Sequence, residues 1–195
     1  MLKELKSIFI KLVLNFKGAK IGKSFTCVRM PRIDLINSDK FNLIIGNNVT
    51  FNGLVELKIR DNSKIIIQDN TKIDQGVRLN AANKSILLIK KHAKVMFYSQ
   101  INAGADITIG KKTAISSHCT LTSSNHKYIK EKNFLDTGYN HKSIIIGQNV
   151  HIGVGCFISP GTNIGENCII YPNSYINRNQ LKKDSTYSGN PAKEI

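Results

Sequence analysis

Residues 144–176 read IIIGQNVHIGVGCFISPGTNIGENCIIYPNSYI, and an isoleucine stands at 146, 152, 158, 164, 170 and 176. The interval is six throughout. A helix repeats its buried face every three or four residues and an ordinary strand every two. An aliphatic residue at every sixth position therefore points to a unit built of several short pieces.

The comb extends toward the N-terminus. Ile109, Ile115 and Leu121 continue it, and Val95–Ile101, Ile73–Leu79 and Ile45–Phe51 form further pairs, with Ile21 near the start. The register slips between runs, as at NAANKSILLIKK and NAGADITIG. The dipeptide Ile-Gly recurs at 21, 45, 109, 146, 152 and 164. A short fixed period is the mark of a solenoid. A short strand and a tight turn cover one flat side, and three sides return the chain to its start. That makes a coil of about eighteen residues, stacked on the next at the ~4.8 Å strand spacing. The aliphatic residue points inward, and glycine or asparagine after it suits a corner.

The length of 195 residues fits one domain, and 28 basic residues against 13 acidic ones leave a net charge of +15. Such a surface favours anionic partners. The opening MLKELKSIFIKLVLNF is broken by Lys11 and followed by no small-residue cleavage site, so it reads as a helix over residues 1–17. Leu2, Leu5, Phe9, Leu12, Val13 and Phe16 line one face of it. Packing of that face on its own domain or on a neighbouring subunit is expected. Peripheral contact with a membrane surface is the competing reading, because the helix is also basic. Cys119, Cys156 and Cys168 each follow a repeat isoleucine by four residues, and no CxxC pair exists. All four cysteines, Cys27 included, read as small core residues.

The pattern of Leu/Ile/Val, then Gly, two variable residues and a small one resembles the hexapeptide-repeat acyltransferases. The likeness runs over residues 18–195, and the closing YSGNPAKEI is similar to the family's final signature. Within the family the chain is most similar to the maltose, galactoside and xenobiotic acetyltransferases and to surface-polysaccharide O-acetyltransferases. The resemblance implies an all-β chain: a left-handed parallel β-helix with a short N-terminal helix, one extruded loop and a C-terminal tail over residues 179–195. It also implies acetyl-coenzyme A as co-substrate and a homotrimer, while the reading of the N-terminal segment as a helix and the unpaired cysteines make a cytoplasmic location the expectation.

The comb stops at Leu121 and resumes at Ile146, and the polar stretch 127–143 must leave the solenoid as a loop. Sites tend to be built on loops held by a rigid scaffold. TSSNHKY puts His126 at the loop's root, where the resemblance implies a general base; histidine suits that role near neutral pH. Asn102, in YSQINAG, matches an acceptor-lining asparagine. For coenzyme A the resemblance implies Gly153 and Val154 at the thioester, Pro172 along the pantetheine, and Asn177, Arg178 and Lys193 toward the phosphates.

Other readings carry less. The metal-dependent members of this fold have two histidines five apart. Here His118 and His126 are eight apart and His141 and His151 ten, so no metal is expected. The scattered charge matches no nucleic-acid motif. The expected activity is acetyl transfer from acetyl-coenzyme A to a sugar hydroxyl in surface-polysaccharide assembly. N-acetylation of an amino sugar, or a non-enzymatic glycan-binding scaffold, is the alternative.

Overall fold

The computed structural model describes residues 2–38, 41–177 and 180–195, with side chains from residue 4 onward within those spans. Helix α1 spans Leu2–Phe16 and is followed by short strands that the chain lays in turn on three walls of a prism. The first wall stacks seven strands, from Lys20–Ile21 to Asn163–Ile164. The second begins at Thr26–Cys27, and the third runs from Arg32–Ile36 to Tyr175–Ile176. Every pairing between successive coils is parallel, as a coiling chain requires. The result is a parallel β-helix.

Each repeat residue lands on its counterpart in the next coil. Ile109 pairs with Ile146, Ile115 with Ile152 and Leu121 with Ile158, and all of them are at most 1% exposed. The four cysteines lie in the same interior, and burial pushes the Cys27 thiol up to about 11. Neither its position nor its acidity suits a nucleophile.

The eighteen-residue coil holds only after the insertion, where Ile146 pairs with Ile164. Earlier coils are longer: Ile45 pairs with Ile67, Ile67 with Ile89 and Ile89 with Ile109, offsets of 22, 22 and 20 residues. The excess all falls on the return from the third wall to the first. From Leu79 to Ile89 it takes ten residues, whereas Ile158 to Ile164 takes six. The early third-wall strands therefore carry two inward residues, such as Leu79 with Ala81 and Ile101 with Ala103. The prism is broad at its N-terminal end and narrows beyond the insertion.

Corners explain the asparagines. Asn48, Asn70, Asn149, Asn167 and Asn173 have φ between 54° and 58°, a region asparagine tolerates better than most residues. Stacked corners also bond to one another, Asn149 Nδ2 donating to Asn167 Oδ1 at 3.0 Å and Asn167 Nδ2 to Asp184 Oδ1 at 2.7 Å.

Both ends of the prism are covered. Within residues 179–195, expected as a tail, the described residues from 180 onward instead supply a cap. Thr186–Gly189 pairs in parallel with Ile169–Ile170 and antiparallel with Ala192–Glu194, and Tyr187 is 3% exposed over the last coil. At the other end α1 closes the first coil, but not with the face expected. Ser7, Ile10 and Leu14 are buried. Ser7 Oγ accepts from Cys27 N at 3.0 Å, and Lys11 Nζ donates to Gly22 O at 2.6 Å. Leu5, Phe9, Leu12 and Phe16 point away from the body at 58–95% exposure. The small hydroxyl and the lysine fit a coil whose edge presents unpaired backbone groups, and a row of bulky side chains does not.

Ile145 and Ile146 test the register in adjacent residues, since the first is 50% exposed and the second 1%. Ile146→Ala should cost about 2–5 kcal/mol, whereas Ile145→Ala should stay within about 0.5 kcal/mol. Chemical denaturation measures both, and equal losses would contradict the inward assignment.

Candidate active site

The corner between the third and first walls is the one that varies in length, and it is also where the insertion leaves. The chain departs at Ser124, three residues before the 127–143 loop expected. Ser124–His126 forms an antiparallel ribbon with Tyr139–His141. A single 3-10 turn, Phe134–Asp136, closes the far end, with Asn133 Oδ1 accepting from Leu135 N at 3.1 Å.

The ribbon's register sorts its side chains. Ser124 lies opposite His141, Asn125 opposite Asn140 and His126 opposite Tyr139. Directly opposed residues share a face and neighbours alternate, so Ser124, His126, Tyr139 and His141 project from one face. The two histidines are held differently. Ser124 Oγ lies 2.8 Å from His141 Nδ1, and Asn83 Nδ2 lies 3.4 Å from His141 Nε2. An amide nitrogen can only donate, so Nε2 accepts and Nδ1–H donates to the serine. Both ring nitrogens of His141 are thereby engaged. His126 is held by ring packing, 4.2 Å from Tyr139 and 5.2 Å from Phe134 between centroids. No hydrogen bond engages its ring nitrogens among the described residues.

Beneath the ribbon lies a cavity of about 300 Å³. Asn80 and Asn102 face into it from successive coils, where they pair in register with each other and with Thr122. Asn83, Tyr139 and His141 close the sides, and Arg60 with Asp61 bounds the end. Arg60 Nε and Asn80 Oδ1 are buried and lack a hydrogen-bond partner. The lining is mostly neutral amide and hydroxyl, groups that both donate and accept. That chemistry matches a polyhydroxylated ligand.

The structure thus brings Asn102 into a cavity with His141 and Tyr139. His126 stands one ribbon step further out and does not line the cavity in a single chain. In the sequence His141 lies only within a polar loop. Only the ribbon pairing shows that it returns beside Ser124, and no spacing in the chain signals that. The remaining histidines are elsewhere: His118 stacks on Tyr98 at 5.4 Å, His151 faces outward on the second wall, and His92 sits at a corner with φ 62°.

The positions assigned to coenzyme A fall at two places. Gly153, Val154 and Pro172 lie together at the corner between the second and third walls, Asn173 N donating to Val154 O at 2.8 Å. A Cβ on Gly153 would stand 2.6 Å from Pro172 N and 2.9 Å from Ile170 O. The close stacking of coils is therefore reason enough for that glycine. Lys193 is exposed in the terminal hairpin, opposite Ser188. Asn177 is exposed just after the last third-wall strand, and Arg178 lies outside the described residues. Within one chain the whole third wall separates Val154 and Pro172 from His126. Among the described residues, no cluster of three His, Cys, Asp or Glu is placed to hold a metal.

The model of the bacterial transferase hexapeptide, six repeats long, matches residues 143–178. The chain carries this transferase repeat. The hexapeptide chain is 27% identical over 145 residues to WbbJ of Escherichia coli (strain K12), named as a lipopolysaccharide biosynthesis O-acetyl transferase. The match covers 70% of this chain and 74% of that protein. Its fold resembles that of AntD, an N-acyltransferase from Bacillus cereus solved with dTDP-4-amino-4,6-dideoxyglucose and coenzyme A. The TM-score is 0.62 at 16% identity, covering 95% of this chain and 87% of that one. The polysialic acid O-acetyltransferase OatWY aligns with TM-score 0.61 and 19% identity over 91% and 87% of the two chains. At these identities the two solved structures speak for the fold alone.

Long-range proton–nitrogen spectra test the ribbon geometry. His141 should appear as one fixed tautomer, protonated at Nδ1, and Ser124→Ala should release it to a mixture. A mixture already in the parent would contradict the hydrogen bonds described.

Proposed function

We propose that this chain is an O-acetyltransferase of surface-polysaccharide assembly, moving acetyl from acetyl-coenzyme A to a sugar hydroxyl with His126 as general base. One observation carries the reading: a cavity walled by stacked asparagines lies under a ribbon face that carries a histidine with unengaged nitrogens. The activities named for WbbJ and OatWY agree with it, and AntD was solved with coenzyme A.

The chemistry follows from the groups present. A sugar hydroxyl attacks the thioester carbonyl carbon, and its proton passes to His126 as the C–O bond forms. The tetrahedral intermediate collapses with loss of the coenzyme A thiolate, which takes the proton back from the imidazolium. Asn102 orients the hydroxyl or donates to the oxyanion. His141 holds the ribbon over the cavity, and its engaged nitrogens make it the poorer base. Gly153, Val154 and Pro172 line the thioester and pantetheine path, with Asn177, Arg178 and Lys193 toward the phosphates.

The separation of the two corners by the third wall supports a site shared between chains. Phe97, Val154 and Tyr171 are exposed at the second corner, with Phe157 beside them on the third wall, apolar surface suited to burial against a neighbour. The proposed assembly is a homotrimer in which the donor corner of one chain meets the acceptor corner of the next, located in the cytoplasm where acetyl-coenzyme A is made. Asp61 at the cavity end favours a second reading, in which an amino sugar is the acceptor, because a carboxylate pairs with an ammonium.

A thioester-cleavage screen against matched hydroxy and amino sugars separates the two readings. His126→Ala should lower turnover by about 10²–10⁴-fold without changing the mass by light scattering, whereas His118→Ala should stay near the parent. Lys193→Ala should raise the KM for acetyl-coenzyme A roughly fivefold with little change in kcat, because a remote phosphate contact is alike in ground and transition states. A monomeric parent protein would remove the shared site.

A further inference from the structure

The outward face of α1 meets no partner among the described residues. Leu5 (58%), Ile8 (56%), Phe9 (62%), Leu12 (62%) and Phe16 (95%) are exposed on the side opposite Ile10 and Leu14. Five bulky apolar side chains on three turns form a continuous patch, unlike the singly scattered apolar residues normal on a surface. The packing face is already satisfied by the first coil, so the patch is not needed to close the prism.

Charge decides the occupant. Lys6 and Lys17 flank the patch on the helix, and Lys20 and Lys23 follow it on the first coil, all exposed, against Glu4 as the acid of the helix. Beside the helix end a hollow of about 400 Å³ is lined by Gly18, Lys20, Phe41, Ile44 and Lys64. It offers two ammonium groups over an apolar floor. The chain carries +15 overall, so a second copy docked end to end would set basic surface against basic surface. An anionic phospholipid surface supplies both complements: acyl chains for the apolar row and phosphates for the lysines.

We propose that α1 docks this protein on anionic phospholipid membrane, end-on, with the hollow at Lys20 and Lys64 taking a lipid phosphate. No described helix is long and apolar enough to cross a membrane, and the contact is peripheral. The prism then stands on the bilayer, and the cavity under the ribbon opens a few coils up, roughly 15–20 Å at ~4.8 Å per coil.

The chain has no tryptophan, so Phe9→Trp provides a single probe. Its emission should shift to the blue with vesicles of phosphatidylcholine and phosphatidylglycerol, and stay unshifted with phosphatidylcholine alone. Parent protein should sediment with the anionic vesicles. The combined Leu5→Ser, Leu12→Ser, Phe16→Ser variant should bind at least tenfold more weakly with an unchanged melting temperature, and Lys17→Gln with Lys20→Gln should weaken binding severalfold at low salt. Absence of sedimentation overturns the proposal. So does a serine variant that binds as well as the parent, which would mean adsorption by net charge alone. A smaller mass for the serine variant in lipid-free buffer also overturns it, because the face would then be covered by a second copy. None of these readouts depends on acetyl transfer, so the two proposals fail separately.

Discussion

Each interior coil bonds through its backbone to the coil above and the coil below. The inward isoleucines stack along the same direction, each on its counterpart. This coupling makes the walls intolerant of change. One added residue in a wall would turn every following side chain to the wrong face and break the pairing with both neighbours. A corner is not bound by that alternation. The chain changes length at one corner, by six, four or two residues in the early coils and by a whole ribbon after Leu121. The site stands where it does because that corner is the one place where the stack permits extra chain.

A stack also has two raw ends, and here they are closed by different means. The C-terminal end continues the second wall and turns it back as a hairpin, with Tyr187 laid over the last coil. The N-terminal end uses a helix, which cannot pair with a strand edge along its length. It meets the edge with side chains instead: a serine hydroxyl on Cys27 and a lysine on Gly22. A helix so placed buries only a narrow stripe and leaves the rest of its circumference to serve another purpose.

The sequence made the solenoid legible because its cause is strictly periodic. The six-residue comb, the corner asparagines and the buried cysteines all follow from one geometry. The coil length was not legible, since NAANKSILLIKK reads as a broken repeat when in fact the prism is wider there and takes a second inward residue. The facing of α1 was misread for a related reason. Amphipathicity marks an apolar face but not what it meets, and a strand edge rewards polar groups that a core would reject. Residues 179–195 carry too little repeat to announce a cap. At the candidate site, the insertion after Leu121 was legible, and with it the exposed placement of His126 near its root. The cavity depends on pairing across the ribbon, which places His141 and Tyr139 by tertiary contact alone.

The two histidines show why position on the ribbon matters more than residue type. A neutral imidazole can accept a proton only through a nitrogen that is not already accepting one. His141 spends Nε2 on Asn83 and Nδ1–H on Ser124, so it serves as a fixed strut across the cavity mouth. His126 is oriented by the rings of Tyr139 and Phe134, contacts that set the ring plane and leave both nitrogens open. The ring itself is exposed on a ribbon that has left the stack, whereas His141 is tied back to the coils through Ser124 and Asn83.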